Sequence, residues 1–482
     1  MTNRRSWLAL AVLMVGAFMS LLDTTIVNVA LPSIRDSLNA SSATLEWIIS
    51  GYALAFGLTL IPAGRVGDRI GHKYIFLVGL GLFTAASLAC GLAQDSLQLI
   101  IARVVQGAAG GIFFPAITAL IQRMFVGRDR GKAFGVLGAV LGVSAALGPV
   151  VGGLLIQGFG QTNGWRLVFA VNLPIGIIAI IAALVLLPSA EGSPAAKKID
   201  WLGLFLLSGG LTAVLVPLIE GQSVGWPVWT YATLIGGLLL LVAFAFWEIR
   251  EARLGHDPIV PPHLFSHPAF AGGTLLALVY FAAFTGIFFT ITILWQAGLG
   301  ASPLESGLVA IPFAIGSIIG ATQSDRVAHR LGRGVLVLGV GMLTIGLAGV
   351  LGVLLAVGAN ITVWELILPL LIAGIGGGFF IAPNTSFIVA TVDRDEAGAA
   401  SGILGTVQRV GSAIGVAVIG SVLFGTLSFD TQGPDAAAVA FAHSATIAMM
   451  VSTGLSLVAF LLVFALPKRV ESARPPMAPA EA

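Results

Sequence analysis

The chain has 482 residues, of which 57% are hydrophobic and only 10% are charged. Soluble domains carry about 25% charged residues, so this composition excludes a soluble globular protein. The mean hydropathy of +1.00 and the 62 glycines indicate a polytopic helical membrane protein. The formal net charge of +2 gives no electrostatic reason to expect a nucleic acid as partner.

Apolar runs of about 20 residues, the length that crosses a bilayer as a helix, recur along the whole chain. Charged residues, prolines and glycines separate them. The first run is longer than the core of a signal peptide, so we expect it to be retained. Fourteen transmembrane helices are predicted, near residues 8–31, 45–64, 74–93, 97–122, 133–157, 166–187, 201–220, 228–248, 270–297, 304–324, 334–357, 363–390, 399–427 and 442–466.

The cationic residues support this topology, because cytoplasmic loops of membrane proteins hold the excess of Lys and Arg. With the N terminus placed inside, all of the 24 Lys and Arg residues lie in inner segments except Arg35, Arg103, Arg166 and Arg409. Omitting one helix would invert every later loop and remove this asymmetry. We therefore predict a multi-pass protein of the inner (plasma) membrane with both termini cytoplasmic.

Glycine patterns repeat between the two ends of the chain. Residues 110–114 read GGIFF and residues 376–380 read GGGFF, and a series of glycines from Gly131 to Gly153 matches a series from Gly398 to Gly420. Chance matches in a glycine-rich chain are the alternative, but they do not explain the shared order and spacing. Two parallel halves around a central site are typical of secondary transporters.

The repeat divides the chain into parts, and the fold class that follows is an all-α membrane protein with 14 transmembrane helices in two six-helix bundles plus two linker helices. We predict an N-terminal bundle in 1–190, two linker transmembrane helices in 191–250, a cytoplasmic linker in 251–269, a C-terminal bundle in 270–467 and a disordered cytoplasmic tail in 468–482.

Residues for enzymatic or cofactor chemistry are few. With Cys90 as the single cysteine, an intrachain disulfide and a cysteine-based metal cluster are excluded. Residues 221–225 fit the GxSxG pattern but lie between predicted helices, without the strand that a nucleophile elbow requires. No GxxxxGK[ST] motif occurs, so an ion gradient is the expected energy source. We predict no enzyme, no cofactor and no metal.

Asp23 lies inside the first predicted helix, where an aspartate costs roughly 2.5–3.5 kcal/mol unless it is protonated or paired. Counted along the helices at 1.5 Å per residue, Asp23 lies about 12 Å and Arg103 about 9 Å below the same membrane edge. The two side chains can therefore meet. A buried carboxylate with such a partner is suited to gaining and losing a proton, and a static structural ion pair is the alternative.

The inner loop at residues 64–73 reads GRVGDRIGHK. It resembles the signature loop of the major facilitator superfamily, in which the acid is understood to brace the inner gate. A generic basic loop would explain the cations but not the acid and the spaced glycines. His72 stands where that family prefers Arg or Lys. The matching residues are Gly64, Asp68, Arg69, Gly71 and Lys73.

Two further stretches resemble motifs of the same superfamily. Residues 103–107 read RVVQG and resemble its RxxQG motif, which is linked to proton transfer and adds Gln106 to the candidates. Residues 148–153 read GPVVGG and resemble the motif associated with antiporters, although Ser144 replaces a usual glycine. Small residues of this kind let helices approach closely. The matching residues are Gly148, Pro149, Gly152 and Gly153.

Residues 22–32 and 165–176 resemble the fourteen-helix group of that superfamily, the multidrug:proton antiporters. The resemblance implies multidrug efflux: export of small hydrophobic or cationic compounds in exchange for protons by alternating access, with antibiotic resistance as the result. It also implies a small-molecule substrate, protons and the lipid bilayer as partners of a monomeric chain. The candidate proton-coupling and substrate residues are Asp23, Asn28, Arg103, Gln106, Glu305 and Arg409.

Several candidates remain open between a functional and a structural role. Arg409 lies near the middle of its predicted helix, where it lines the cavity or bonds neighbouring carbonyls. An aromatic stripe in residues 280–289 walls a substrate pocket or packs against lipid and protein. Glutamates near outer helix ends are either proton sites or ordinary solvated acids, namely Glu46, Glu220, Glu305 and Glu365.

The alternative within transport is an exporter dedicated to one metabolite, antibiotic or siderophore. A membrane-embedded enzyme is disfavoured because the predicted helices lack a convergent His/Ser/Asp set. A sensor is disfavoured because the sequence contains no soluble domain.

Overall fold

The computed structural model describes residues 4–125, 127–188, 200–256, 258–389, 392, 397–428 and 435–467. These residues form α-helices joined by short turns, and no strand occurs among them. The helices are α1 (Arg4–Leu38), α2 (Ser42–Ile70), α3 (His72–Leu92), α4 (Ser96–Met124), α5 (Gly127–Ala170), α6 (Asn172–Leu186), α7 (Trp201–Val224), α8 (Val228–Arg253), α9 (Pro268–Ile293), α10 (Pro303–Leu308), α11 (Ile311–Leu331), α12 (Gly334–Val357), α13 (Val363–Val389), α14 (Ala397–Gly425) and α15 (Ala436–Val463).

The described part of the chain has 13 helical spans that are long and apolar enough to cross a membrane. The sequence predicts fourteen, and the difference lies in the stretch Leu147–Leu186, which is 40 residues long, about twice what one crossing requires. Gly160 interrupts this stretch with a φ of 78° and a ψ of 161°. Gly160 lies inside the loop predicted between residues 157 and 166, and the chain turns back there, because a Cβ on Gly164 would overlap the Ile156 Cα. The two helices on either side extend further toward this glycine than predicted. Fourteen crossings remain a prediction.

The helices pack in two sets. In the first helix group, α1 to α6, α1 contacts α5 and α6, while α4 contacts α2 and α3. In the second helix group, α9 to α15, α13 contacts α11 and α12, while α9 contacts α14 and α15. The predicted boundary at 190 and the predicted tail 468–482 lie outside the described residues, and the division into domains stays a prediction.

Glycines let helix backbones approach closely in both helix groups. A Cβ on Gly111 of α4 would lie 2.2 Å from the Phe56 carbonyl oxygen of α2, and a Cβ on Gly378 of α13 would lie 2.3 Å from the Ala321 nitrogen of α11. Each glycine is therefore needed where two helix backbones meet.

Helices α7 and α8 lie outside these two groups. Helix α7 packs against α8 and also against α2 and α14, so it borders both groups. Helix α8 exposes apolar side chains, with Val228 at 84% and Phe246 at 68%. Such a surface is suited to the hydrocarbon of a bilayer.

The two groups touch at the end of the molecule where α1 ends and α2 begins, called here the closed end. Gln296 Nε2 donates to the Val29 carbonyl oxygen at 2.9 Å. A Cβ on Gly307 of α10 would lie 2.3 Å from the Pro149 carbonyl oxygen of α5. In the predicted topology the closed end faces the outside.

Candidate functional site

A buried ion pair joins α1 to α4. Arg103 Nη1 donates to Asp23 Oδ2 at 2.6 Å, and the two side chains are 1% and 0% exposed. Removing two charges from water costs several kcal/mol per ion, so such a pair persists only where further hydrogen bonds support it.

Those supporting bonds come from two amides. Asp23 Oδ1 accepts from Gln106 Nε2 at 2.8 Å and from Asn172 Nδ2 at 3.0 Å. Gln106 lies one turn after Arg103 on α4, and its Oε1 accepts from Arg103 Nη1 at 2.8 Å. Both oxygens of Asp23 are therefore engaged, by side chains from α4 and α6.

A second layer of contacts holds these groups in place. Arg103 Nε donates to the Ile48 carbonyl oxygen of α2 at 3.1 Å, and its guanidinium carbon lies 4.1 Å from the Tyr52 ring centroid. Asn172 Nδ2 also donates to Ser87 Oγ of α3 at 3.0 Å, and its Oδ1 has no hydrogen-bond partner among the described residues. The network thus connects five helices of the first helix group.

The structure joins three of the predicted coupling residues, Asp23, Arg103 and Gln106. Sequence reasoning missed Asn172, Ser87 and the ring of Tyr52 as parts of the site. Asn172 and Ser87 are polar residues within apolar runs and are 0% exposed. That pattern could have identified both, and Asn172 also lies in the stretch 165–176 that carries the family resemblance.

The other predicted coupling residues lie elsewhere. Asn28 turns back to its own helix and donates to the carbonyl oxygens of Thr24 and Thr25 at 3.3 and 3.4 Å. Glu305 is exposed and closes a capping box with Ser302 at the start of α10. Neither is part of the Asp23 network.

Arg409 points across from α14 to the first helix group. Its guanidinium carbon lies 4.2 Å from the ring centroid of Phe56 on α2. The Phe56 and Tyr52 centroids are 6.0 Å apart, and Arg103 lies over the Tyr52 ring. Two neighbouring aromatic rings of α2 therefore contact the cation of the second group and the cation of the buried ion pair.

The predicted inner-gate loop lies at the end opposite the closed end. Gly71 has a φ of 106°, which other residues adopt only with strain. Lys73 Nζ donates to the Leu184 and Leu187 carbonyl oxygens at 2.9 and 2.8 Å, so it caps the end of α6. Arg69 is exposed, and the side chain of Asp68 lies outside the described residues.

The predicted antiporter motif packs α5 against α1. A Cβ on Gly148 would lie 2.0 Å from Thr25 Oγ1, and a Cβ on Gly152 would lie 2.9 Å from Ile26 Cγ1. A Cβ on Gly153 would lie 2.5 Å from the Leu304 Cα of the second helix group. The motif therefore sets the position of the α1 segment that immediately follows Asp23.

Replacing Gly148 with alanine is expected to destabilise the protein by about 1–3 kcal/mol, because the added methyl group overlaps Thr25 in a packed interface. Gly158→Ala on the same helix is the matched control, since no atom lies within 4 Å of its Cβ position. Thermal unfolding of the purified variants measures the difference. Equal melting temperatures for the two variants would contradict this packing role.

The aromatic stripe of α9 divides into two parts. The Tyr280 ring stacks on Phe380 with centroids 3.8 Å apart, and Phe289 meets Phe424 at 6.0 Å. Both Tyr280 and Phe289 are 0% exposed and fill the core of the second helix group. The half-buried rings of the stripe are those of Phe281, Phe284 and Phe288.

Comparisons with known proteins agree on one family. The sequence profile of the Major Facilitator Superfamily matches residues 13–200, 190–416 and 273–482. The "Probable actinorhodin transporter" of Streptomyces coelicolor is 38% identical over 427 residues, covering 88% of this chain and 73% of that protein. The "Tetracenomycin C resistance and export protein" of Streptomyces glaucescens is 36% identical, covering 87% and 76%.

A solved structure shares the fold. A peptide transporter crystallised with sulfate has a TM-score of 0.65 and 15% identity, with 95% of each chain covered. At that identity the likeness establishes the fold alone.

Proposed function

Because the chain belongs to the Major Facilitator Superfamily, we propose that it is a proton-coupled antiporter that exports small hydrophobic or cationic compounds by alternating access. The observation that carries the proposal is the buried pair of Asp23 and Arg103. Intramembrane ionisable residues mark proton and substrate pathways in transporters. Efflux is supported by the relative that is named for tetracenomycin C export.

Proton exchange at Asp23 would change the contacts of Arg103. A proton on Asp23 removes the negative charge that holds Arg103 Nη1. The guanidinium still donates hydrogen bonds to the Gln106 amide oxygen and the Ile48 carbonyl oxygen, and it still lies over the Tyr52 ring. Arg103 then moves closer to α2, which packs against α14 of the second helix group. The protonation state of Asp23 is thereby linked to the seam between the groups.

Aromatic rings in both helix groups support an aromatic or cationic substrate. Phe56 faces Arg409 from the first group, while Phe284 and Phe288 of the second group lie 5.5 and 5.0 Å from the Phe313 centroid and are half-buried. Rings of this kind bind flat apolar cations through dispersion and cation–π contacts.

Transport of ethidium, a planar aromatic cation, into proteoliposomes tests the proposal. Purified protein is reconstituted, and a pH gradient is imposed with the acidic side inside. The gradient is expected to drive ethidium uptake against its concentration gradient, and an ionophore that collapses the gradient is expected to abolish this uptake. Equal uptake with and without the gradient would contradict proton coupling.

An exporter dedicated to one compound is the second candidate, because the two Streptomyces relatives are each named for a single compound. The same vesicles distinguish the two. Competition by chemically unrelated aromatic cations supports broad export, whereas the absence of competition supports a dedicated exporter.

A further inference from the structure

A second buried carboxyl group lies at the closed end, on α2. Glu46 is 2% exposed, and its Oε2 has no hydrogen-bond partner among the described residues. A Cβ on Gly420 of α14 would lie 2.7 Å from Glu46 Cδ. Because α2 and α14 belong to different helix groups, this carboxyl group is enclosed in the interface that must part when the closed end opens.

A second acid lies beside it. Glu220 Oε1 on α7 accepts a hydrogen bond at 3.0 Å from Nε1 of Trp47, the residue that follows Glu46, so the two carboxyl groups are near enough to repel each other when both are ionised. Helix α7, which borders both groups, therefore adds a negative group to the site rather than a counter-ion.

No Lys or Arg of the neighbouring helices forms an ion pair with Glu46 in the part of the chain that the structure describes. On α1, the Arg35 guanidinium carbon lies 5.8 Å from the Phe424 ring centroid, and the adjacent Asp36 is exposed. On α4, Arg103 is bound to Asp23. On α14, Arg409 precedes Gly420 by about three helical turns, or roughly 16 Å.

An ionised carboxylate in this setting would be buried without a counter-ion and next to a second carboxylate, which is strongly unfavourable. A neutral carboxylic acid avoids this penalty. Once the groups part and water enters, the carboxylate is solvated and can ionise. The enclosed geometry thus fits the protonated form, and the opened geometry fits the ionised form.

We propose that Glu46 is a second proton-binding site, and that it must take up a proton from the water at the closed end before the two helix groups can meet there. The proton enters and leaves on the same side, so it is not carried across the membrane. Acidic solution at this end therefore favours closure and alkaline solution favours opening. The inference rests on the alternating access proposed above, but not on the role of Asp23.

Distances between spin labels across the closed end test this inference. Gln94 lies between α3 and α4, and Asn360 lies between α12 and α13; both are exposed, one in each helix group. Cysteines at these positions carry the labels, while Cys90 is buried at 0% exposure and stays unlabelled. Double electron–electron resonance spectroscopy of the labelled protein in lipid nanodiscs measures the distribution of distances between the two labels. The measurement is repeated from acidic to alkaline pH.

The wild-type protein is expected to change from a short to a longer distance as the pH rises. Glu46→Gln cannot ionise, so it is expected to keep the short distance at every pH. Glu365→Gln is the matched control, because Glu365 is an exposed acid at the start of α13, and it is expected to follow the wild type.

A second variant tests the site if Glu46→Gln does not fold. Glu220→Gln removes the neighbouring charge, so Glu46 ionises more readily, and the opening transition is expected to move to lower pH by on the order of one unit. A Glu46→Gln protein that opens like the wild type, or a Glu220→Gln protein without a shift, would overturn the inference. No transport is measured, so these results do not depend on whether Asp23 couples export to protons.

Discussion

Asp23→Asn is expected to abolish ethidium uptake driven by a pH gradient, to the level of protein-free vesicles, while the protein still folds. Asparagine has the shape of aspartate but cannot release a proton at physiological pH. In this variant Arg103 is expected to keep its other contacts. In the wild-type structure these are the Gln106 amide oxygen at 2.8 Å, the Ile48 carbonyl oxygen at 3.1 Å and the Tyr52 ring centroid at 4.1 Å. These contacts preserve the local packing after the ion pair is lost.

The matched control for this experiment is Asp36→Asn, because Asp36 is an exposed acid on the same helix. It is expected to transport like the wild type. Downhill ethidium flux without a gradient is also expected to persist in Asp23→Asn, since the variant loses coupling rather than the pathway. Gradient-driven uptake in Asp23→Asn at the wild-type rate would contradict the proposed role of Asp23.

Arg103→Met is expected to lower the free energy of unfolding by about 3–5 kcal/mol, because it leaves the Asp23 carboxylate buried without its counter-ion. Adding Asp23→Asn is expected to restore much of that loss, since the neutral amide no longer requires the cation. The double variant is then more stable than Arg103→Met alone, a non-additivity that marks direct interaction.

Unfolding of the purified single and double variants in one detergent or lipid environment measures this cycle. Arg123→Met is the matched control, since Arg123 is exposed on the same helix, and it is expected to change stability little. Additive effects of the Asp23 and Arg103 substitutions would show that the two side chains do not stabilise each other.

The sequence predicts the meeting of Asp23 and Arg103 because depth along a helix follows from counting residues. It does not predict Asn172 or the Ile48 carbonyl as partners, since these depend on how each helix is rotated and which helices are neighbours. The rotation of a helix and the choice of its neighbours are both set by packing. Gly111, for example, lets α4 approach α2 closely because it has no side chain.

Glu46 and Glu305 look alike in sequence, as acids near helix ends. The structure separates them, because Glu46 is buried against Gly420 whereas Glu305 caps α10 in an exposed position. Burial between distant segments has no local pattern. Around Gly160 the sequence predicts a loop of several residues, whereas the structure turns the chain between two helices with a single positive φ.

The central claim is that Asp23 holds the exchanged proton. The most direct test of this claim is to measure proton release when substrate binds. Ethidium is added to purified protein in weakly buffered solution, and a pH indicator dye records the released protons. The wild-type protein is expected to release protons as ethidium binds, whereas Asp23→Asn is expected to bind ethidium without release. Proton release from Asp23→Asn equal to that of the wild type would contradict the claim.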